Sequence, residues 1–142
     1  MPAAVAAALA DTGTLIWKGM FGFSKTAALT NIIATTLGLL YLHSSNGNFT
    51  SYDGTTTATN NAIYTANTLT KAAVQWPSSA GKFKVGVDIN SGGIAYGAEA
   101  NFDGAFPAVG TLSLGSSLNG PLYFSKVAIY NKLITDAQVN AF

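Results

Sequence analysis

The sequence predicts an all-β protein built from two packed antiparallel sheets, and three observations support this prediction. About ten short segments rich in β-branched and aromatic residues recur at the spacing of hairpins. Turn signals that contain glycine, asparagine or aspartate separate these segments. Only one short segment, near the C-terminal end, has a clear helix start signal. We therefore expect residues 1–142 to form a single domain, a two-sheet sandwich that a short C-terminal helix closes.

The clearest strand pattern lies between Lys82 and Asn90, where apolar and polar residues alternate. Four apolar side chains occupy every second position and are expected to face the core: Phe83, Val85, Val87 and Ile89. Shifting the strand by one residue would turn all four towards water, at about 1.5–3 kcal/mol each. The alternation therefore fixes which face of this strand is buried.

Turn signals and composition indicate further strands. Asn46 and Gly47 form the strongest hairpin signal of the chain. They follow the segment Leu37–His43, which is almost continuously apolar and is expected to be a central strand. The segment Thr55–Asn67 is rich in threonine and asparagine, which favours a strand at a rim or edge.

The C-terminal region combines a strand with a helix start. Leu122–Tyr130 has the composition of a strand and is expected to be central, with a bulge near Lys126 where the alternation slips by one residue. Thr135 and Gln138 have the spacing of a capping box, in which each side chain bonds the other residue's backbone amide. A short helix is expected to follow.

Residues 1–13 are rich in alanine and are expected to form one or two helical turns that stop at Asp11. Two alternatives remain open: a frayed terminus, or an N-terminal arm that packs on a neighbouring copy. No basic residue precedes the short apolar run, so we expect no cleaved export signal. No run approaches the ~18 apolar residues of a membrane span, so no membrane partner is expected.

The composition restricts the possible partners. Hydrophobic residues make up 49% of the chain and charged residues only 9%, against the roughly 25% charged that is usual. Such a surface favours a homo-oligomer, with a trimer as the expected form. The net charge is +1 and arginine is absent, which argues against a nucleic-acid face. Cysteine is absent as well, which excludes disulfides and thiolate metal sites.

Residues that could support catalysis are few and scattered. His43 is the single histidine, and its serine neighbours Ser44 and Ser45 point along the chain rather than at the ring, so a catalytic triad is not expected. The acidic residues show no paired-carboxylate pattern: Asp11, Asp53, Asp88, Glu99, Asp103 and Asp136. We therefore predict no enzymatic activity and no catalytic residues.

The strand that ends in Val127-x-Ile129-Tyr-Asn131, followed shortly by Thr135-Asp-Ala-Gln138, resembles the final strand and closing turn of concanavalin A-like, or laminin-G-like, jelly-roll domains. Within that superfamily it most resembles the versions found in tailed-phage virion proteins. Upstream segments agree with the resemblance in order and spacing: Lys82–Asn90 with Ser91-Gly-Gly93, Phe102-Asp-Gly104, Thr111–Gly115 and Leu118-Asn-Gly120. The resemblance spans roughly residues 12–142 and implies a jelly-roll sandwich.

The resemblance also implies two kinds of site. Many hydrolases with this fold carry two glutamates on one core-facing strand, and that pattern is missing here. Some lectin relatives bind calcium at the loop rim through Asp and Asn oxygens, which makes four residues weak calcium candidates: Asp88, Asn90, Asn101 and Asp103. The alternative for these residues is turn formation. No other cofactor is expected.

Aromatic residues in a glycine-rich loop region are the candidate contacts. Tyr96, Phe102 and Phe106 could stack on sugar rings or fill a subunit contact, and the alternative is loop or core packing.

Two functions follow as expectations from the resemblance and the composition. The first is a capsid cement or decoration subunit of a tailed bacteriophage, which binds a major capsid protein or another virion protein and lies in the virion after assembly in the host cytoplasm. The second is a carbohydrate-binding adhesin module of a tail fibre or tailspike, which binds a surface glycan. A domain that stands alone favours the first, because tail adhesins carry such domains at the end of a long trimeric shaft.

Overall fold

Strands dominate the computed structural model, which describes all residues except 27, 28, 36, 37, 44, 78–80, 104, 105, 107–110 and 117–119. In chain order the elements are α1 (Ala3–Leu9), β1 (Gly13–Phe21), β2 (Thr30–Ala34), β3 (Gly38–Leu42), β4 (Phe49–Tyr52), β5 (Thr57–Asn60), β6 (Thr70–Trp76), β7 (Gly81–Asp88), β8 (Ala95–Tyr96), β9 (Ala100–Phe102), β10 (Ser113–Ser116), β11 (Leu122–Tyr130) and α2 (Asp136–Ala141).

Two antiparallel sheets form the sandwich. The first sheet has the order β11-β1-β6-β7-β8, and β9 also pairs with β7. The second sheet has the order β10-β2-β3-β4-β5. This architecture, closed by the short helix α2, confirms the predicted all-β two-sheet fold with a C-terminal helix. The sequence-predicted membership of the concanavalin A-like jelly-roll family stays a prediction.

The inner faces of the two sheets meet in one large core. Strand β1 contributes Leu15, Trp17 and Phe21, all fully buried. The second sheet supplies aliphatic side chains and Phe49, whose ring lies edge-on to Phe21 at 5.9 Å. Burial of these large groups at about 1.5–3 kcal/mol each is the main stabilising term of such a sandwich.

Several sequence predictions for the strands are confirmed. Phe83, Val85 and Val87 face the core from β7, while Ile89 lies just after the strand and packs on the core half-buried. Strand β3 is the middle strand of its sheet, and β5 is an edge. Gly47 adopts a φ of +64° in the predicted hairpin between β3 and β4.

The prediction of a central strand over Leu122–Tyr130 is wrong, because β11 is an edge strand of the first sheet. An apolar alternation reports one buried face, and it does not tell whether a strand has one neighbour or two. The expected bulge is confirmed: Lys18 pairs with Lys126 and Gly19 pairs with Phe124, so Ser125 is the extra residue. A bulge and a lysine are two devices that protect an edge strand from unwanted pairing.

The glycine at this bulge is required by space. A Cβ atom added to Gly19 would lie 2.1 Å from the carbonyl oxygen of Tyr123 and 2.5 Å from the Trp17 ring. Any side chain there would force β1 and β11 apart.

The N-terminal segment packs on the sandwich of its own chain. Leu9, at the end of α1, is fully buried in the main core, and Val5 packs against the same cluster. The backbone amide of Phe106 donates a hydrogen bond to the Leu9 carbonyl at 3.2 Å. Residues 1–13 therefore form part of this domain's packing in the single chain.

A buried asparagine ties one side of the sandwich together. The Asn60 side-chain amide, at the end of β5, donates to the carbonyls of Val85 at 3.1 Å and Ala95 at 2.8 Å, and so reaches from the second sheet to the first. Thr59 and Ala98 form an additional antiparallel bridge on the same side. The edge strand β5 of the second sheet therefore lies over the β7–β8 side of the first sheet. On the opposite side of the sandwich the edge strands are β10 and β11.

Tyr64 offers a test of the core. Its ring packs on Phe21 at 4.2 Å, and its hydroxyl is buried with no hydrogen-bond partner among the residues that the structure describes. Burial raises the pKa of Tyr64 from 10.0 to about 12. The unfolded chain loses this proton near pH 10, whereas the folded chain keeps it, so stability falls as the pH rises from 10 to 12.

We expect Tyr64→Phe to be neutral or stabilising by about 1 kcal/mol at pH 7, because it removes an unpaired buried hydroxyl. Between pH 10 and 12 the wild type should lose up to about 2 kcal/mol relative to the variant. Urea unfolding at several pH values measures both effects. Parallel stability curves for the two proteins up to pH 12 would contradict the burial of this hydroxyl.

Candidate functional site

Two of the three predicted contact residues belong to the core. Phe102 and Phe106 are each only 2% exposed, and their rings pack against each other at 5.3 Å. Phe106 also lies edge-on to Trp76 at 5.0 Å, and Phe102 packs on Phe83 at 5.6 Å. Their proposed role as surface contacts is therefore corrected to core packing. Glycine-rich sequence indicated an exposed loop, but the loop folds its aromatic side chains inward.

Tyr96, the third contact candidate, is half-buried on the outer face of the first sheet. The ammonium group of Lys84 lies 3.9 Å from the centre of its ring, a cation–π contact. Burial of the hydroxyl raises the pKa of Tyr96, and the nearby negative charge of Asp136 adds to the effect. The face of the ring that contacts Lys84 is thus not available to a ligand.

The four calcium candidates do not come together. Asp88 is the last residue of β7, whereas Asn101 pairs with Lys82, which is near the first residue of β7. Six residues of strand separate these positions by about 20 Å. Asn90 lies beside Asp88, its amide donating to the Asp88 carboxylate at 3.3 Å. One calcium ion therefore cannot bind all four.

Asn101 and Asp103 are also engaged in local hydrogen bonds. Lys82 donates to the Asn101 side-chain oxygen at 2.5 Å, and the Thr55 hydroxyl donates to Asp103 at 2.5 Å. The backbone amide of Asp103 donates to the buried carboxylate of Asp53 at 3.2 Å. Within the described part of the chain, no three His, Asp or Glu side chains form a group that could hold a metal ion.

His43 lies at the end of β3, where its Nδ1 atom is 2.8 Å from the Ser45 hydroxyl and 3.2 Å from the Ser45 backbone nitrogen. Its ring lies 6.3 Å from that of Tyr41. These are contacts of a turn, as expected for a strand-end histidine. The expectation that Ser45 points along the chain rather than at the ring is wrong, because its hydroxyl contacts Nδ1. Ser44 lies outside the described residues.

The outer face of the first sheet carries a row of charged residues that the sequence analysis missed. Lys126 pairs with Lys18, Lys18 pairs with Lys71, and Lys71 pairs with Asp88, each on the next strand of the sheet. Directly opposed side chains have Cβ atoms about 4.5–5.5 Å apart, and like charges at that distance repel. We call these four residues the lysine row.

Helix α2 ends against the lysine row. The Lys71 ammonium donates to the carbonyls of Val139 at 3.1 Å and Asn140 at 2.7 Å, and Lys18 lies 3.5 Å from the Phe142 main-chain oxygen. The last carbonyls of a helix lack partners within the helix and form its negative end. The row thus places positive charge where the helix requires it.

Burial affects the lysine at the centre of the row. Lys71 is 7% exposed, and desolvation lowers its pKa below the usual value. The carboxylate of Asp88 opposes this shift, and the charge of Lys18 adds to it.

A polar cleft opens between the lysine row and the turn after β7. It has a volume of about 390 Å³, and its lining residues are Lys18, Leu69, Lys71, Asp88, Ser91, Gly92, Gly93 and Asn140. The Asn140 side chain accepts a hydrogen bond from the Ile94 amide at 2.7 Å, which fixes one wall. We call this the α2 cleft. Its size is within the range of small-molecule sites.

A second, more open depression of about 410 Å³ lies on the other side of α2. Its lining includes Ile134, Phe142 and the lysines Lys126 and Lys132. Lys126 lies 4.3 Å from the centre of the Phe142 ring, so part of the depression is already filled by a cation–π contact.

The sequence could not reveal the α2 cleft because its lining comes from four parts of the chain: β1, the start of β6, the end of β7 with the turn after it, and α2. The cross-strand register that aligns Lys18, Lys71 and Asp88 depends on which strands are neighbours. The one local signal was the turn Ser91-Gly-Gly93, which the analysis used only as a turn.

Comparison with known proteins adds no family to this picture. No protein-family model matches the chain, and no curated protein matches it significantly. Neither helix in the part of the chain that the structure describes is long and apolar enough to cross a membrane.

Calcium addition should leave this protein unchanged. A ligand that binds only the folded state stabilises it by RT ln(1 + [L]/Kd), about 2.7 kcal/mol at one hundred times Kd. We expect 5 mM CaCl₂ or 5 mM EDTA to shift the melting temperature by less than about 1 °C, because the candidate residues are separated and no three acidic or histidine side chains of the described residues come together. A calcium-specific increase, absent with MgCl₂, would restore the calcium hypothesis.

Proposed function

We propose that this chain is a non-enzymatic structural protein that acts through contacts with its own copies and with a larger protein surface. Within that class, the resemblance in the sequence favours a decoration, or cement, subunit of a tailed-phage capsid. Catalysis is not part of the proposal. A hydrolase needs an acid and a base with separated proton affinities in one cleft, and six scattered carboxylates with a single histidine make such a pair hard to build.

The observation that supports this proposal is the composition of one side of the sandwich. Strands β10 and β11 are both sheet edges, and we call this side the open edge. It exposes Leu114 (54%), Tyr123 (51%) and Phe124 (37%). Lys126 is the single charged residue within these two strands. Exposed apolar groups with so little charge around them are typical of protein contact surfaces.

Edge strands also offer backbone hydrogen-bonding groups to a partner. The bulge at Ser125 and the charge of Lys126 oppose simple strand addition along the middle of β11. Contact through side chains of the open edge is therefore favoured over a continuous sheet between copies. A closed ring of copies, with a trimer as the expected form, would bury these groups without leaving a free end.

We expect sedimentation equilibrium at micromolar concentration to show more than one copy per particle. The double change Leu114→Ser and Tyr123→Ser should shift the protein towards the monomer, because it removes two exposed apolar groups from the open edge. Ile63→Ser is the matched control, since Ile63 is 69% exposed outside the two edge strands. A clean monomer of the wild type, or an equal effect of the control, would contradict the role of the open edge.

The capsid role is tested on particles that lack this chain. Particles without it should break at lower temperature or lower salt than complete particles, and added protein should restore their resistance. The double variant of the open edge should restore less. Particles that stay equally robust but no longer adsorb to cells would replace the cement role by the adhesin role.

A second candidate function is carbohydrate binding, and the α2 cleft is the observation that favours it. Sugar hydroxyl groups need neighbouring donors and acceptors, and the cleft presents lysine ammonium groups, an asparagine amide and an aspartate carboxylate together. None of the described residues that line it is aromatic, so recognition would depend on hydrogen bonds and charge.

A further inference from the structure

We propose that the α2 cleft binds an acidic saccharide, a sugar ring that carries one carboxylate and several hydroxyl groups. The inference goes beyond the contact role and rests on the second candidate function, carbohydrate binding, for which it names the ligand class and the residues.

The charges of the lining select this ligand class. Lys18 and Lys71 supply two positive charges and Asp88 one negative charge, so the lining has a net charge of +1. A ligand with one negative charge balances that excess. A small inorganic anion would leave most of the 390 Å³ empty and would meet the Asp88 carboxylate. A zwitterionic amino acid brings no net charge to balance the lining.

Lys18 is the group available to a ligand carboxylate. Its single hydrogen bond within the described residues runs to the Phe142 main-chain oxygen at 3.5 Å, which is at the limit for such a bond. An ammonium group has three donors, so Lys18 can turn towards the cleft. Lys71, in contrast, already donates twice to the end of α2. It therefore acts as a fixed positive charge in the wall of the cleft.

Asp88 is the acceptor for sugar hydroxyl groups. It is 9% exposed, and one carboxylate oxygen accepts a bond of 3.3 Å from the Asn90 amide. Its second oxygen takes no hydrogen bond from the residues that the structure describes, so it can accept one from a ligand. Lys71 on the neighbouring strand already supplies a positive charge, so Asp88 suits a neutral hydroxyl better than a second cation.

The turn after β7 gives a ligand access to backbone and amide groups. Ser91 has a φ of +56°, an uncommon conformation that is enriched at ligand-binding turns. A Cβ added to Gly92 would meet nothing within 4 Å, so the backbone there is open. The Asn140 side chain is held through its oxygen by the Ile94 amide, which leaves its nitrogen as a donor. Leu69, 45% exposed at the rim, offers an apolar surface to a sugar ring.

The test is a nuclear magnetic resonance titration of the full chain with three probes. Methyl β-glucuronide has the proposed chemistry, methyl β-glucoside is the same ring without the carboxylate, and acetate is the carboxylate without the ring. We expect saturable shifts of the Gly92, Gly93 and Asn140 amides with the glucuronide. Binding of the glucoside should be at least about tenfold weaker, because one charge-assisted hydrogen bond is lost, and acetate should produce no saturable shift.

Variants assign the roles. Lys18→Met should remove the preference for glucuronide over glucoside, whereas Asp88→Asn should weaken both sugars. Lys82→Met is the matched control, because Lys82 is exposed at the far end of β7, and it should change neither. Each variant's amide spectrum reports whether it folds, and Lys18→Gln provides a second test at that position if the methionine variant does not fold.

Three outcomes would overturn the proposal: equal binding of glucuronide and glucoside, saturable binding of acetate alone, or no shift of the three amides at 20 mM glucuronide. A glycan array of the same protein separates this failure from that of carbohydrate binding itself. Array binding that Lys18→Met and Asp88→Asn leave intact would keep the second candidate function and reject this cleft. An empty array with a silent titration would reject both.

Discussion

Burial of the central strands β1 and β6 on both faces is the constraint on which the rest of the structure depends. Their inner faces pack on the second sheet, whereas their outer faces present Ile16 and Ala73. These apolar groups need a cover, and α2 with the preceding loop supplies it through Ile134 and Val139. A helix of six residues is too short to be stable alone. It exists here because the sheet holds it.

Besides this apolar packing, the sheet holds the cover through polar bonds to its main chain. The Thr14 hydroxyl donates to the Lys132 carbonyl at 2.9 Å, and Gln75 donates to the Ile134 carbonyl at 2.8 Å. Lys71 also donates to the carbonyls of Val139 and Asn140 near the end of α2. Three side chains on the outer face of the sheet thus bind the main chain of α2 and the loop before it. The lysine row is tolerated because the helix end and Asp88 compensate its charge. The α2 cleft lies where the helix stops and the sheet continues.

The sequence was sufficient for features that depend on local order along the chain. Alternation identified the buried face of β7, Asn46-Gly47 identified a hairpin, and the Thr135–Gln138 spacing identified a capping box in which Thr135 donates to Gln138 at 2.9 Å. It was insufficient where strand neighbours decide the outcome. The edge position of β11 and the inward packing of Phe102 and Phe106 depend on pairing between distant segments, which one strand's pattern does not encode.

The same distinction explains why the candidate site was missed. Lys18, Lys71 and Asp88 are each ordinary polar positions in an alternating strand, and each alone predicts only a solvent-facing side chain. They become a site because three strands place them in one row and because α2 stops beside them. The open edge, by contrast, is at the side of the sandwich, on strands β10 and β11. A partner seated on that edge and a ligand in the α2 cleft would use different residues, so contact and ligand binding can operate in one small domain.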